Sequence, residues 1–153
     1  MQLTLVRHGE ASPALDGNDD KRPLTVRGQL QAVETARFVQ QQVQPDVFVV
    51  SPLLRAQQTL AGIQQNFKDL DIPVLICDKI KPEDDAKFAI DWLSQLPYER
   101  IVVVCHMNVI AHIAEQLTGE YFNPFALAEA RIYEQAVIAN GLSTQKKAFV
   151  PAV

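Results

Sequence analysis

Arginine and histidine side chains stand at or just beyond the ends of three apolar runs in this chain. They are Arg7 and His8 after residues 3–6, Arg55 shortly after residues 47–50, and His106 just after residues 101–104. Apolar runs bounded by turn-forming residues predict buried strands. Taken alone, the pair Arg7-His8 also fits an ordinary solvated turn. Parallel strands joined by right-handed crossovers, however, bring their carboxyl ends to one edge of a sheet, where α/β proteins bind ligands. We therefore expect these side chains to share one site.

The residue types at this predicted site suit a phosphoryl group. Arginine presents paired N–H donors that match phosphate oxygens, and Arg55 lies in the first turn of a predicted helix, where backbone amides also favour anions. Neighbouring guanidinium groups disfavour the imidazolium form of His8, so its pKa is expected to be lowered and its ring to be a neutral nucleophile. His106 could donate a hydrogen bond to phosphoryl oxygens in the transition state.

A polar loop over residues 12–23 follows the first predicted strand. It is rich in Asp, Asn, Gly and Pro, and it ends in Lys21, Arg22 and Pro23. A solvated, charged loop is the simpler interpretation of this composition. Because the loop leaves the same strand end as His8, Arg22 is also a candidate for the rim of the site.

Other catalytic and metal-binding arrangements fail on spacing. A cysteine phosphatase would need an arginine six residues after its cysteine, but Ala111 and Glu83 stand at those positions after Cys105 and Cys77. Neither a GxxxxGK[ST] nor a GxGxxG motif occurs. No two of the three histidines are three to five residues apart, so we expect no metal site and no cofactor. We interpret His112 as a packed or surface histidine and Cys105 as a small buried residue.

Apolar runs and helical periodicity alternate along most of the chain and predict an α/β fold. The predicted strands cover residues 3–6, 46–50, 74–76 and 101–104, and the predicted helices cover 25–44, 52–67, 86–96 and 108–118. Expected helix caps are Thr25 and Ser51 at N-termini and Gly119 at a C-terminus. The first helix is expected to bury a face made of Leu30, Val33, Ala36 (or Arg37) and Val39 or Gln40.

Two further expectations concern the core and the tail. In the helix over 86–96, Phe88, Trp92 and Leu93 are expected to be buried. In the tail, residues 126–131 fit a short helix by propensity. Residues 131–139 and 142–150 fit two strands joined at Asn140-Gly141, and we favour these strands because Asn-Gly is a strong hairpin signal.

The bulk composition limits the class of protein. The chain has 153 residues, of which 48% are apolar and 21% charged, and its net charge is −4. These values are typical of one globular domain and not of a basic nucleic-acid binder. The two cysteines show no CxxC spacing, and no apolar run approaches the ~20 residues of a membrane span. We expect a single domain over residues 1–153 that is cytoplasmic and monomeric and binds neither nucleic acid nor membrane.

The residues that carry the predicted chemistry resemble the signature of the histidine phosphatase superfamily. The matching strings are Arg7-His8-Gly9-Glu10, Ser51-Pro52-Leu53-Leu54-Arg55-Ala56-Gln57-Gln58-Thr59, and Cys105-His106 after an apolar strand. The short length and the string Arg22-Pro23-Leu24-Thr25 are similar to the bacterial phosphohistidine phosphatases of that superfamily. The resemblance covers nearly the whole chain and is weakest after residue 120.

This resemblance implies a three-layer α/β/α sandwich with a mostly parallel sheet, like that of phosphoglycerate mutases. It also implies that His8 accepts the phosphoryl group and forms a phosphohistidine intermediate, which water then hydrolyses without a metal. The residues expected to hold the phosphate are Arg7, Arg22, Arg55 and His106.

One catalytic role of larger relatives has no clear counterpart here. Their glutamate acid, which protonates the leaving oxygen, could be matched only by position, by Asp78, Glu83 or Asp84. A phosphoester oxygen leaves poorly without a proton donor, whereas a phosphohistidine leaves as an imidazole that is protonated near neutral pH. The connection that follows the third strand is also short, which predicts an open site.

These features predict a phosphohistidine phosphatase, and the partner that the resemblance implies is the phosphorylated histidine phosphotransfer domain of a sensor kinase. Two alternatives stay open. One is a phosphomonoesterase for small molecules that uses the same residues. The other is a non-catalytic module that binds a phosphorylated ligand, for which the arginines would suffice without His8.

Overall fold

The computed structural model describes residues 1–14 and 16–153, and its centre is a six-stranded sheet. The strands are β1 (Gln2–Arg7), β2 (Val47–Val50), β3 (Val74–Ile76), β4 (Arg100–Cys105), β5 (Ala130–Glu134) and β6 (Thr144–Phe149). Their order in the sheet is β3-β2-β4-β1-β5-β6. The first four strands in the chain are mutually parallel, and β5 and β6 are antiparallel to their neighbours. The mostly parallel sheet predicted from the sequence is thus confirmed.

Two pairs of helices cover the two faces of the sheet. The helices are α1 (Val26–Gln42), α2 (Leu54–Gln64), α3 (Ala86–Ser94) and α4 (Val109–Thr118). Successive side chains of a strand point to opposite faces. Accordingly, Leu5 packs in one buried cluster with α3 and α4, while Val6 packs in a second buried cluster with α1 and α2. This arrangement is the expected three-layer α/β/α sandwich.

The register of the parallel strands aligns their carboxyl ends. Arg7 at the end of β1 lies opposite Cys105 at the end of β4. Val50 at the end of β2 pairs with Val104 of β4. The residues that directly follow these strands therefore emerge at the same edge of the sheet.

The predicted buried face of α1 is correct at Ala36 and Val39 but wrong at Leu30 and Val33. Thr25 caps the helix as expected, and its side chain accepts a hydrogen bond from Gly28 N. Leu30 and Val33, however, are 50% and 42% exposed, and the buried face is formed by smaller and polar residues. These residues are Gly28, Gln31, Ala32, Thr35, Ala36 and Val39. The reason is that α1 approaches the loop after β1 so closely that a β-carbon on Gly28 would lie 2.1 Å from Glu10 O.

Two smaller corrections concern α2 and α3. The helix α2 begins at Leu54, two residues later than predicted, because residues 51–53 form a turn in which Leu53 N donates to Ser51 Oγ at 3.3 Å. In α3, Leu93 is buried as expected, but Phe88 is 57% exposed and lies outside the core. Gly119 ends α4 in the left-handed conformation, as predicted, with φ of 74°.

The tail forms the predicted pair of antiparallel strands. The structure contains no helix at residues 126–131, so that alternative is wrong; β5 begins at Ala130 instead. Asn140-Gly141 lies within a longer connection over residues 135–143, and Gly141 has a φ of 76°. Among the described residues, no helix combines the length and the apolar character needed to cross a membrane.

Candidate active site

His8 is the first residue after β1, and its backbone is fixed on both sides. Its N–H donates to Cys105 O at 3.0 Å, and its carbonyl accepts from Ala128 N at 3.0 Å. The ring nitrogen Nδ1 lies 2.6 Å from Gly9 O. Because a carbonyl oxygen only accepts hydrogen bonds, Nδ1 carries the proton in this contact. In the neutral ring, Nε2 then holds the lone pair that a nucleophile needs.

The surroundings of His8 favour this neutral form. Burial has the largest effect, and the positive charges of Arg55, Arg7 and Arg22 act in the same direction. The hydrogen bond to Gly9 opposes them, and the pKa of His8 is lowered from 6.5 to about 4. The direction expected from the arginines is found, although burial is the greater cause.

His106 follows β4 and is fully buried next to His8. The two ring centroids are 5.2 Å apart. Nε2 of His106 lies 2.7 Å from the hydroxyl of Ser51, which is itself fully buried at the end of β2. Burial, followed by the influence of His8 and Arg55, lowers the pKa of His106 to about 2, so this ring is also neutral. The sequence indicated Ser51 only as a helix cap, and its contact with His106 depends on the pairing of β2 with β4.

Three arginines surround the two histidines. Arg7 donates from Nη1 to Phe125 O at 2.8 Å. Arg55 is only 4% exposed and donates from Nη1 and Nη2 to the carbonyl and the carboxylate of Asp19, at 2.8 and 3.1 Å. Arg22 donates from Nε to Ser12 O at 2.9 Å. The part of this loop over residues 16–23 thus contacts Arg55 through Asp19 and holds Arg22 beside that contact, at the rim where the sequence placed it as a candidate.

Unpaired side-chain nitrogens in the site point to an anionic ligand. Among the described residues, the buried side-chain nitrogens without a hydrogen-bond partner are Arg7 Nε, Arg55 Nε and His106 Nδ1. Buried polar groups are normally paired, so each such atom calls for an explanation. Arginine nitrogens only donate hydrogen bonds, and a phosphoryl group offers only acceptors. The donor set therefore matches the phosphate chemistry inferred from the residue types.

A second network, which the sequence did not indicate, supports Arg7. Arg131 at β5 donates from Nε to Glu129 at 2.6 Å and lies 3.7 Å over the ring of Phe125. It also donates to the carbonyls of Asn123 and Pro124. This buried ion pair fixes the segment over residues 123–129, which supplies the carbonyl that receives Arg7. The signal in the sequence, an Arg and a Glu two residues apart, is too common to have been informative.

The carboxylates considered as a general acid make other contacts. Glu83 accepts from Asn108 Nδ2 at 3.1 Å, and Asp84 accepts from Lys81 N at 2.8 Å. Within the described part of the chain, no hydrogen bond joins the side chains of Asp78, Glu83 or Asp84 to the two histidines or the three arginines of the site. Residues 1–14 and 16–153 also contain no group of three or more His, Cys, Asp and Glu placed to hold a metal ion.

The remaining chemically active residues lie as the sequence suggested. His112 is half exposed, contacts Glu115 through Nδ1 at 3.1 Å and packs on Phe122. Cys105 is fully buried, and burial raises the pKa of its thiol to about 12. Among the residues that the structure describes, neither side chain forms a hydrogen bond with the two histidines or the three arginines of the site, and Cys105 contacts His8 only through its backbone carbonyl.

Comparison with known proteins finds relatives in both sequence and fold. The family model described as histidine phosphatase superfamily (branch 1) matches residues 3–81. The chain is 31% identical over 142 residues to a phosphohistidine phosphatase SixA homolog of Haemophilus influenzae, covering 86% of this chain and 85% of the relative. It is 29% identical over 143 residues to phosphohistidine phosphatase SixA of Escherichia coli, covering 88% and 87%. The solved structure of the protein histidine phosphatase SixA complexed with tungstate superimposes with a TM-score of 0.86 at 23% identity, covering 98% of this chain and 97% of that one.

Proposed function

The chain belongs to the histidine phosphatase superfamily and is a phosphatase of that superfamily, and we propose that its substrate is a phosphohistidine carried by another protein. The observation that carries the proposal is the state of His8. Its Nδ1–H is held by Gly9 O at 2.6 Å, and its neutral ring is surrounded by arginines. A non-catalytic phosphate-binding module would need the arginines but not a nucleophilic nitrogen prepared in this way.

The first step is the transfer of the phosphoryl group to His8. The lone pair of His8 Nε2 attacks phosphorus, the P–N bond to the substrate imidazole breaks, and that imidazole takes up a proton from water. Arg7 and Arg55 hold the phosphoryl oxygens and offset the charge that is spread over them in the transition state. With the Ser51 hydroxyl donating to Nε2 of His106, the proton of that ring lies on Nδ1, which has no other partner and donates a further hydrogen bond to the phosphoryl group.

The second step returns the enzyme to its starting state. Water attacks phosphorus, the bond between phosphorus and His8 Nε2 breaks, and inorganic phosphate leaves with the ring neutral again. The arginines stabilise the same distribution of charge in this step as in the first. Arg22, which is more exposed than Arg55, is the third arginine that binds the phosphoryl oxygens.

The leaving group explains why a phosphohistidine is preferred to a phosphoester. An alkoxide needs a proton donor in the transition state, whereas an imidazole is a good leaving group near neutral pH. Two of the three carboxylates that could have served as the acid, Glu83 and Asp84, are engaged elsewhere, with Asn108 and Lys81. The names of the SixA relatives support the same substrate class. We propose the phosphorylated histidine phosphotransfer domain of a sensor kinase as the partner.

Phosphate release from a radiolabelled histidine phosphotransfer domain, measured beside a panel of small phosphomonoesters, tests this proposal. We expect release from the protein substrate to be much faster, and His8→Ala to slow it by about a thousandfold or more because the nucleophile is lost. His112→Ala is the matched control, since it removes a half-exposed histidine outside the site, and its rate should equal that of the wild type. Release from small esters alone would instead identify a metabolic phosphomonoesterase.

A further inference from the structure

The two guanidinium groups that face the loop are bridged by a carboxylate of the chain itself. We propose that Asp19 is an internal competitor of the phosphoryl group for Arg22 and Arg55, and that it thereby sets how tightly the site holds phosphate. The inference rests on the proposed function, because it concerns the same arginines that bind the phosphoryl group.

The geometry of the bridge resembles that of a bound oxyanion. One carboxylate oxygen of Asp19 accepts from Arg55 Nη2 at 3.1 Å, and the other accepts from Arg22 Nη1 at 3.1 Å. Two oxygens on one central atom thus link two guanidinium groups, as two oxygens of a phosphoryl group would. The carbonyl of Asp19 also accepts from Arg55 Nη1 at 2.8 Å.

The donors of the two arginines explain why the carboxylate must compete. Arg22 already donates from Nε to Ser12 O at 2.9 Å and from Nη2 to Ala11 O at 3.5 Å, so Asp19 takes its remaining nitrogen. On Arg55, both Nη atoms are engaged by Asp19, and only Nε lacks a partner. Each Nη carries a second N–H, but the N–H groups that now point at the Asp19 carboxylate become available to a phosphoryl group only when that carboxylate leaves.

The bridge is also built to be reversible. Asp19 belongs to a short 3-10 helix (Asp19–Lys21), and its side chain is 59% exposed, whereas Arg55 is buried. When the carboxylate leaves the arginines, water can solvate it at once, so displacement costs little. Hydrogen bonds from Arg22, with the charge of Arg55, keep the pKa of Asp19 below its usual value, so it is charged at neutral pH. Its return to the arginines would favour departure of the product phosphate.

The neighbouring residue provides a control with the same charge. Asp20 is exposed, and within the described residues its side chain forms no ion pair with Arg22 or Arg55. Replacing it removes one negative charge from the same short helix without touching the bridge. Any general electrostatic gain in anion affinity should therefore appear in Asp20→Asn as well as in Asp19→Asn.

Calorimetric titration with inorganic phosphate at constant ionic strength tests the inference on the wild type, Asp19→Asn, Asp19→Ala and Asp20→Asn. We expect both Asp19 variants to bind phosphate about three- to tenfold more tightly than Asp20→Asn, as the loss of exposed ion pairs allows. Binding equal to or weaker than that of Asp20→Asn would overturn the inference, because Asp19 would then only position the arginines. Absence of phosphate binding in all four proteins would also overturn it.

This measurement separates the inference from the proposed function, since it requires no turnover. A chain that binds phosphate with the expected ranking but hydrolyses no phosphohistidine would contradict the proposed substrate and leave the competition by Asp19 supported. A chain that hydrolyses phosphohistidine while Asp19→Asn binds phosphate like Asp20→Asn would support the proposed substrate and contradict the competition by Asp19.

Discussion

The immediate neighbours of His8 set both the orientation and the protonation state of its ring. The carbonyl of Gly9 orients the ring and fixes the proton on Nδ1, while burial and the surrounding guanidinium groups keep the ring neutral. Its position at a strand end could be predicted from the sequence, as could those of Arg7 and His106. The contacts of Ser51 and Asp19 could not, because they depend on how the strands pair and on where residues 16–23 lie against α2.

Titration of His8 provides the first prediction at this scale. Burial and three positive charges destabilise the imidazolium, so we expect the ring to protonate with a midpoint near pH 4 rather than 6.5. Nitrogen NMR of the histidine rings, with the His8 signals assigned by their loss in His8→Asn, measures this directly. A midpoint near pH 6.5 would mean that the ring is not held as described.

The same shift affects stability with a definite sign. Between pH 6.5 and about 4, the unfolded chain binds a proton at His8 that the folded chain does not. The free energy of unfolding should therefore decrease as the pH falls through this window, and this contribution should level off below about pH 4. The pKa of His106 is shifted in the same direction, so its contribution adds to the decrease.

At the scale of elements, the site depends on the docking of α1 against the loop after β1. Thr25 caps the helix and also donates to Glu10 Oε1 at 2.8 Å. Glu10 N in turn donates to Gln31 Oε1 at 2.8 Å. Gly9 N donates to Thr59 Oγ1 of α2 at 3.0 Å, which ties the loop to the second helix. The residues that follow His8 are therefore held by helices on one face of the sheet.

This docking explains which helix properties the sequence could reveal. The cap of α1 at Thr25 depends on local chemistry and was predicted. Its buried face was predicted only at Ala36 and Val39. Hydrophobic periodicity gives most weight to large apolar residues such as Leu30 and Val33, whereas contact with the loop selects Gly28 and other small residues. A close approach between two backbones leaves no signature in hydrophobic periodicity.

Gly28→Ala tests the docking. Alanine is the better helix former by about 1 kcal/mol, so propensity alone predicts a more stable protein. A β-carbon at this position would lie 2.1 Å from Glu10 O and meet backbone atoms that cannot rotate away. We expect a loss of about 1–3 kcal/mol in the free energy of unfolding, measured with urea, together with lower phosphatase activity. Gln29→Ala, at an exposed position of the same helix, is the control, and equal stability of the two variants would contradict this account.

At the scale of the whole molecule, the site is assembled by sheet topology. The strands β2, β4 and β1 are neighbours, so the residues that follow them meet although they are far apart in the chain. These strands are buried on both faces and read as continuous apolar runs, which made the parallel part of the sheet predictable. The edge strand β6 is mostly exposed and carries no such run, so the tail could be predicted only through its turn residues.

The most direct test of the central claim is to trap the phosphorylated enzyme. The wild type is mixed with an excess of a histidine phosphotransfer domain that carries labelled phosphohistidine, the reaction is quenched in base within milliseconds to seconds, and the label is located by peptide mapping. We predict a transient phosphoryl group on His8 that appears before free phosphate and is absent from His8→Ala. Release of phosphate at the wild-type rate with no label on His8, or with label on another residue, would contradict the account.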